Sequence, residues 1–315
     1  MKNKTINLKQ ILKNKNTKFL ITTHEDPDFD GVGSALALAI QLNFLGFETK
    51  VWLVDALIEN FDFLPTRSHI YREIPENFDY DVLMVVDASD ITRVKKHALL
   101  AKNKLIINID HHGDNSNFGK INIVQKDTSS TGEIIYELFR QMEWKITKDI
   151  AINLYTAICF DTGQFKYSNV TALTFLAAAD LVTKGAAPDY ISQKIFENNS
   201  LELFDILKKA LDNLKINSKL KYVYSTLPEC SAQNSHEVLN FIRSLKEAEI
   251  ILLFKLNEEG EIKINLRSKN DFDVAKFAAL FGGGGHRKAA GIKIKGELEH
   301  IKQTVIARLN AELTK

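Results

Sequence analysis

Residues 24–31, HEDPDFDG, place one histidine and four carboxylates within seven positions. Further along come VVD ending at Asp87, IDHH at 109–112 and FDTGQF at 160–165. Negative charges this dense repel one another unless a cation sits among them. Carboxylate oxygens with imidazole nitrogens suit Mn²⁺, Mg²⁺ or Fe²⁺ better than structural zinc, which favours cysteine. The donors are too many for one ion. Two ions roughly 3.5–4 Å apart need bridging carboxylates, and such pairs drive in-line displacement at phosphorus. DPDFDG also opens like a calcium loop, D-x-[DN]-x-[DN]-G-x5-E, but position twelve is Ala37, which has no oxygen to donate. An EF-hand loop follows a helix, whereas here KFLITT (18–23) precedes it and has the β-branched, apolar character of a strand.

A single aspartate at the end of a strand is ordinarily a solvated turn residue, so the elements that deliver these groups matter. The first half alternates strand and helix patterns: strands at 18–23, 50–55, 81–87, 104–110 and 121–124, with a helix over 31–45. DVLMVVD and KLIINID are near-continuous apolar runs, as expected of strands buried on both faces of a parallel sheet. Helices then dominate, at roughly 129–142, 147–159, 171–184, 188–197 and 201–213. This predicts a doubly wound α/β domain. In such a sheet, ligands bind at the carboxyl ends of the strands. His24, Asp28 and Asp30 follow one strand, Asp87 ends another, and Asp110, His111 and His112 end a third. Asp161 comes from a helical part of the chain. In TSSTGE (128–133), Ser130 with Glu133 three residues on fits a capping box.

A second pattern starts near residue 215: strands at 220–226, 249–257, 261–268 and 291–295, helices at 235–246, 273–281 and 297–313, and a turn at NEEG (257–260). The fold expected is two α/β domains, the larger N-terminal one with a mainly parallel sheet flanked by helices, and a cleft between them. The boundaries are 1–195 and 215–315, joined by a helical linker at 196–214. FGGGGHRKAAG (281–291) meets neither the P-loop nor the dinucleotide fingerprint. On its own it could be a flexible hairpin connection. Residues 260–296 nevertheless carry eight Lys/Arg against three acids, in a chain whose net charge is only +1. Glycines let backbone N–H groups approach an anion, and Arg267 can clamp a phosphate with two hydrogen bonds.

With 315 residues, 45% hydrophobic and 26% charged, the composition is that of a folded globular protein. The near-zero charge excludes a global field for nucleic acid or anionic membrane. Two cysteines without CxxC spacing, no apolar run of membrane-spanning length and a polar N-terminus lead to the expectation of a soluble, cytoplasmic protein.

HEDPDFDGVGS, VVDASD, IDHH and FDTGQF, in this order, resemble the four motifs of the DHH phosphoesterase family, and FGGGGHRKAAG resembles the signature of the DHH-associated C-terminal domain. The resemblance covers nearly the whole chain. It implies that His24, Asp28, Asp87 and Asp161 hold one divalent ion and Asp30, Asp87, His111 and Asp161 the other. The ions would be Mn²⁺, with Mg²⁺ as the alternative. Asp110 would orient a ligand, and His112 would act beside the scissile phosphate. Glu25 and Asp26 match no ligand position. Arg267, Gly284, Gly285 and His286 would contact substrate.

The two-domain length resembles the bifunctional nanoRNase and 3′-phosphoadenosine-5′-phosphate (pAp) phosphatase subfamily. The implied partners are pAp and RNAs of two to five nucleotides, with neither long nucleic acid nor membrane. A phosphodiesterase for linear dinucleotides such as pApA is the near alternative. A non-catalytic nucleotide sensor on the same fold is the distant one, disfavoured because every ligand position is filled. Two-domain hydrolases of this sort often form homodimers, though no segment here shows it.

Overall fold

The computed structural model describes residues 8–53, 59–67, 70–73, 78–96, 100–227, 230, 232–256 and 260–314. Chain contacts divide it into two units, Met1–Asn198 and Asn199–Lys315. In the first, six strands run parallel in the order β3-β2-β1-β4-β5-β6. They are β1 (Phe19–Thr22), β2 (Thr49–Trp52), β3 (Ile70–Tyr71), β4 (Val82–Val86), β5 (Leu105–Asp110) and β6 (Ile121–Val124).

The apolar runs are explained by burial on both faces. Phe19 and Ile21 of β1 and Val82, Met84 and Val86 of β4 face one core with the helices Phe29–Phe44, Thr131–Gln141 and Lys148–Asp161. Leu20, Leu83 and Val85 face the other, with Trp52, Phe78 and Tyr80. Chain order reverses between β1 and β4, which makes the gap at their carboxyl ends the switch point where such sheets bind ligands.

The second unit holds a mixed sheet in the order β11-β12-β10-β9-β8-β7, where only β8 and β9 are parallel. Its strands are β7 (Lys215–Asn217), β8 (Tyr222–Leu227), β9 (Ile250–Leu256), β10 (Glu261–Ser268), β11 (Gly284–His286) and β12 (Ala289–Lys295). On one face Ile262, Ile264, Leu266 and Ile292 pack with Val274 and Phe277 of the helix Val274–Ala279 and with Ile301 and Val305 of the helix Leu298–Leu313. On the other, Val223, Ile251 and Leu253 pack with the helices Leu201–Asp212 and Ala232–Arg243. The segment read as a linker thus contains a helix whose Leu203, Ile206 and Ala210 join this core.

Several elements differ from expectation. β3 has only two residues and β7 is a short, largely exposed edge strand, so neither carries a readable alternation. β11 lies inside the glycine run, which has no side chains to form a pattern, yet it pairs in register with β12. The helix expected at 235–246 occupies Ala232–Arg243. Residues 54–55 of the strand expected at 50–55, and 257–259 of the expected turn, lie outside the described residues. Among the described residues, no helix is long and apolar enough to cross a membrane.

Candidate metal centre

Asp28 ends the loop after β1 and caps the helix Phe29–Phe44, its Oδ1 accepting from the Asp30 and Gly31 amides at 2.9 and 3.1 Å. The helix therefore begins two residues earlier than the sequence suggested, and Asp30 sits in its first turn, fully buried. The other carboxylate oxygen of Asp28 lies 4.0 Å from His24 Nε2.

Asp87, just past β4, is the hub. Its Oδ2 lies 3.6 Å from His24 Nε2, and its Oδ1 lies 3.7 Å from both His111 Nε2 and His112 Nδ1. Its φ of 55° puts a non-glycine residue in the left-handed region, a strain found preferentially at functional positions. His111 Nε2 is also 3.9 Å from Asp30 and 3.4 Å from Asp161. Asp110 belongs to no metal-binding group and supports a member of one instead: its Oδ1 pairs with His112 Nδ1 at 2.7 Å and its Oδ2 accepts from Asn115 at 2.6 Å.

The side chains form three overlapping groups able to hold a metal ion: His24–Asp28–Asp87, Asp30–His111–Asp161 and Asp87–His111–His112. Within each, the ligand atoms lie within 4.8 Å of one another. Asp161 joins the Asp30 group and is not grouped with His24 and Asp28. Glu25 and Asp26 are exposed and belong to none of the groups.

The electrostatics are those of clustered acids and histidines that favour a cation. Burial and the charges of Asp87, Asp161 and Asp28 hold the Asp30 carboxyl well above the usual range. Burial, with Asp28 and Asp87, pushes Asp161 up to about 7. Burial also disfavours charge on His24 and His112, but facing carboxylates outweigh it and raise both to about 9. Against its own burial, Asp87 is held below the usual range by His24, His111 and His112. Among the described residues, none of Asp28, Asp30, Asp87 or Asp161 pairs with a lysine or arginine. The donor set therefore fits divalent cations.

Two supports escaped the sequence reading. The N-terminus of the helix Thr131–Gln141 grips Asp30: the Thr131 amide donates to Oδ2 at 2.7 Å and the Gly132 amide to Oδ1 at 2.8 Å. The Thr131 hydroxyl donates to Asp87 Oδ1 at 3.0 Å. A Cβ on Gly132 would meet Ala157 Cβ at 2.5 Å, so only glycine lets this helix come so close. Ser130 does cap the helix, accepting from the Glu133 amide. The Glu133 carboxylate, however, accepts from Ser129 and Thr174, not from the Ser130 amide that a capping box requires. TSSTGE was the available signal, but which helix end faces Asp30, some hundred residues away, is not a local property.

The second support follows Asp161, the last residue of the helix Lys148–Asp161. Gly163, Gln164 and Phe165 have φ of 52°, 60° and 62°, three consecutive left-handed residues. The turn is closed by Thr162 Oγ1, which accepts from the Phe165 amide and donates to the Ile158 carbonyl. Asn169 donates to the Asp161 carbonyl at 3.0 Å.

In the second unit, Arg267 and Gly284 line a hollow of about 530 Å³. Gly285 and His286 lie on β11 and are exposed. Arg267 and His286 both pair with Ala289, which brings them to the same cross-strand row.

Residues 18–158 match the DHH family, N-terminal domain, and residues 219–311 match the DHHA1 domain. The chain is 28% identical over 309 residues to the bifunctional oligoribonuclease and PAP phosphatase NrnA of Thermus thermophilus, covering 97% of this chain and 93% of that protein. To the protein of the same name from Mycoplasma genitalium it is 30% identical over 285 residues, covering 87% of each. Among solved structures, an exopolyphosphatase-related protein from Bacteroides fragilis superposes with a TM-score of 0.91 at 23% identity, covering 100% of this chain and 98% of that one. An exonuclease RecJ bound to manganese superposes at 0.56 with 15% identity, covering 99% and 94%, and shares the fold. Matched in both halves, and 30% identical to a relative across most of both chains, this protein belongs to the DHH family, with a DHHA1 domain following the DHH domain.

Proposed function

We propose that this protein is a metal-dependent phosphoesterase acting on short oligoribonucleotides and pAp, as the names of its NrnA relatives say of them. The observation that carries the reading is Asp87, whose two carboxylate oxygens face His24 on one side and His111 on the other, within overlapping metal-binding groups. His24, Asp28 and Asp87 would hold one divalent ion, and Asp87, Asp30, His111 and Asp161 the other. Mn²⁺ is the ion proposed, with Mg²⁺ the alternative. When bound, such a pair supplies Lewis-acid charge and an activated water for in-line attack at phosphorus.

The chain's own residues do the rest. Asp110, held by Asn115, fixes the His112 ring through Nδ1. The Asp110 and Asp87 carboxylates favour the charged form of the His112 ring, which neutralises charge that builds on the phosphoryl oxygens or delivers a proton to the leaving oxygen. Arg267, Gly284, Gly285 and His286 bind the nucleotide, the arginine through its fork of donors. The test is hydrolysis of pAp and a 5-mer RNA with Mn²⁺ by wild type, Asp87→Ala and Asp161→Ala. Wild type should turn over both, and each variant should fall by at least a hundredfold. A variant keeping more than about a tenth of the wild-type rate would sink the assignment.

A further inference from the structure

The hollow in the second unit is floored by β10 and β12 and walled by Ser235, His236 and Leu239. Along β10, Lys263, Asn265 and Arg267 share the face opposite the buried Ile262, Ile264 and Leu266. Lys263 lies directly opposite Lys255 of β9 and directly opposite Lys293 of β12. Three lysines therefore stand side by side in one row across three strands. None belongs to the glycine-rich segment, and none was singled out as a contact by the sequence.

Like charges directly opposite one another destabilise a sheet unless something compensates them. Among the described residues, none of the three forms an ion pair. Lys255 is the most demanding: it is 7% exposed, and its ammonium has only neutral partners, the Cys230 carbonyl at 2.6 Å and Ser235 Oγ at 3.1 Å. A buried cation without a carboxylate calls for an anion from elsewhere. The one acid on this face of β10, Glu261, occupies the next row, opposite Lys295. All three lysines line the hollow, whose volume suits a small-molecule ligand.

We infer that this row is a second anion subsite, built for the terminal phosphate of an oligonucleotide. A terminal monoester carries close to two negative charges near neutral pH and three acceptor oxygens, whereas an internal diester carries one charge. Three lysines in one row lining one hollow match the monoester. The row lies four residues from Arg267 along β10, about 13 Å at strand rise. The ligand that fills both ends of the hollow is therefore longer than a mononucleotide. This rests on the proposed phosphoester chemistry only for the ligand being a nucleotide chain.

The test is equilibrium binding of the full chain, in chelator so that nothing is hydrolysed, to three RNA trinucleotides: 5′-phosphorylated, 3′-phosphorylated, and without a terminal phosphate. Wild type should bind one phosphorylated form at least fivefold tighter than the unphosphorylated one, and the arm that tightens identifies the end held. Lys263→Gln with Lys293→Gln should bring that ratio below twofold, while Lys263→Arg with Lys293→Arg keeps it. If the glutamine pair fails to fold, Lys293→Gln alone, at an exposed position, should at least halve the ratio. A wild-type ratio below fivefold overturns the subsite, as does a glutamine pair keeping its ratio at twofold or above. Mn²⁺-supported hydrolysis of bis(p-nitrophenyl) phosphate by wild type, run in parallel, reports on the metal centre alone. Its presence with no terminal-phosphate preference removes only this inference, and its absence removes the proposed function.

Discussion

At the scale of single residues, the site depends on carboxylates whose two oxygens have separate tasks. Asp28 gives Oδ1 to two amides of its own helix and faces His24 with Oδ2. Asp30 spends one contact of each oxygen on the Thr131 and Gly132 amides, and Asp87 takes the Thr131 hydroxyl. Thr131 thus touches two carboxylates from different segments and sets their relative orientation, the kind of outer contact whose loss typically weakens metal binding 10- to 100-fold. Thr131→Val keeps the amide contact and the shape but removes the hydroxyl. It should lower Mn²⁺ affinity by roughly tenfold, read by titration with elemental analysis of the protein. Thr131→Ser should restore most of that loss. Unchanged affinity in the valine variant would show that the hydroxyl is not needed to place Asp87.

At the scale of elements, the geometry comes from ends: strand ends at the switch point, a helix start at Thr131 and a helix end at Asp161. The left-handed turn at 163–165 locks the last of these. A Cβ on Gly163 would lie 2.2 Å from the Tyr167 ring, at a φ where L-residues are already strained. Gly163→Ala should therefore destabilise the protein by about 2 kcal/mol or more, combining the left-handed penalty with the displaced ring. Urea unfolding checks this, and a loss under about 0.5 kcal/mol would mean the turn can rearrange freely. Because the turn carries Asp161, metal affinity should fall in the same variant.

For the molecule as a whole, the consequence is a link between pH, cations and stability. In the metal-free protein, Asp30 and Asp161 are held above the usual carboxylate range, Asp161 at about 7. The folded state then keeps protons that the unfolded chain releases near pH 4, so stability falls as pH rises from about 4 through 7. His24 and His112 are raised to about 9, so their contribution is complete below about 6.5 and is lost as pH rises through 9. Asp87, held low, contributes down to strong acid. All the shifts in the neutral range have the same sign. Thermal melts in chelator should give a lower Tm at pH 8.5 than at pH 5.5, and Mn²⁺ should raise Tm more at pH 8.5, where the carboxylates are free of protons. A chelated Tm that is flat or rising across this interval would contradict the charge arrangement described here.

The sequence alone determined the order of elements in the first unit, the two-residue β3 excepted, because β4 and β5 are apolar on both faces and the helices carry their caps locally: Asp28, Ser130, Thr147 and Thr171 each accept from an amide of the first turn. It also placed the acids and histidines at strand ends, since a polar residue after an apolar run is a local event. Only the tertiary structure decided which residues meet. Asp30 finds the Thr131 and Gly132 amides across about a hundred residues, Asp110 turns to Asn115 and His112, and Lys263 stands between Lys255 and Lys293. These are matters of sheet order, register and helix approach. They depend on side-chain packing between segments far apart in the chain, and a pattern of residue types along one segment holds no record of that partner.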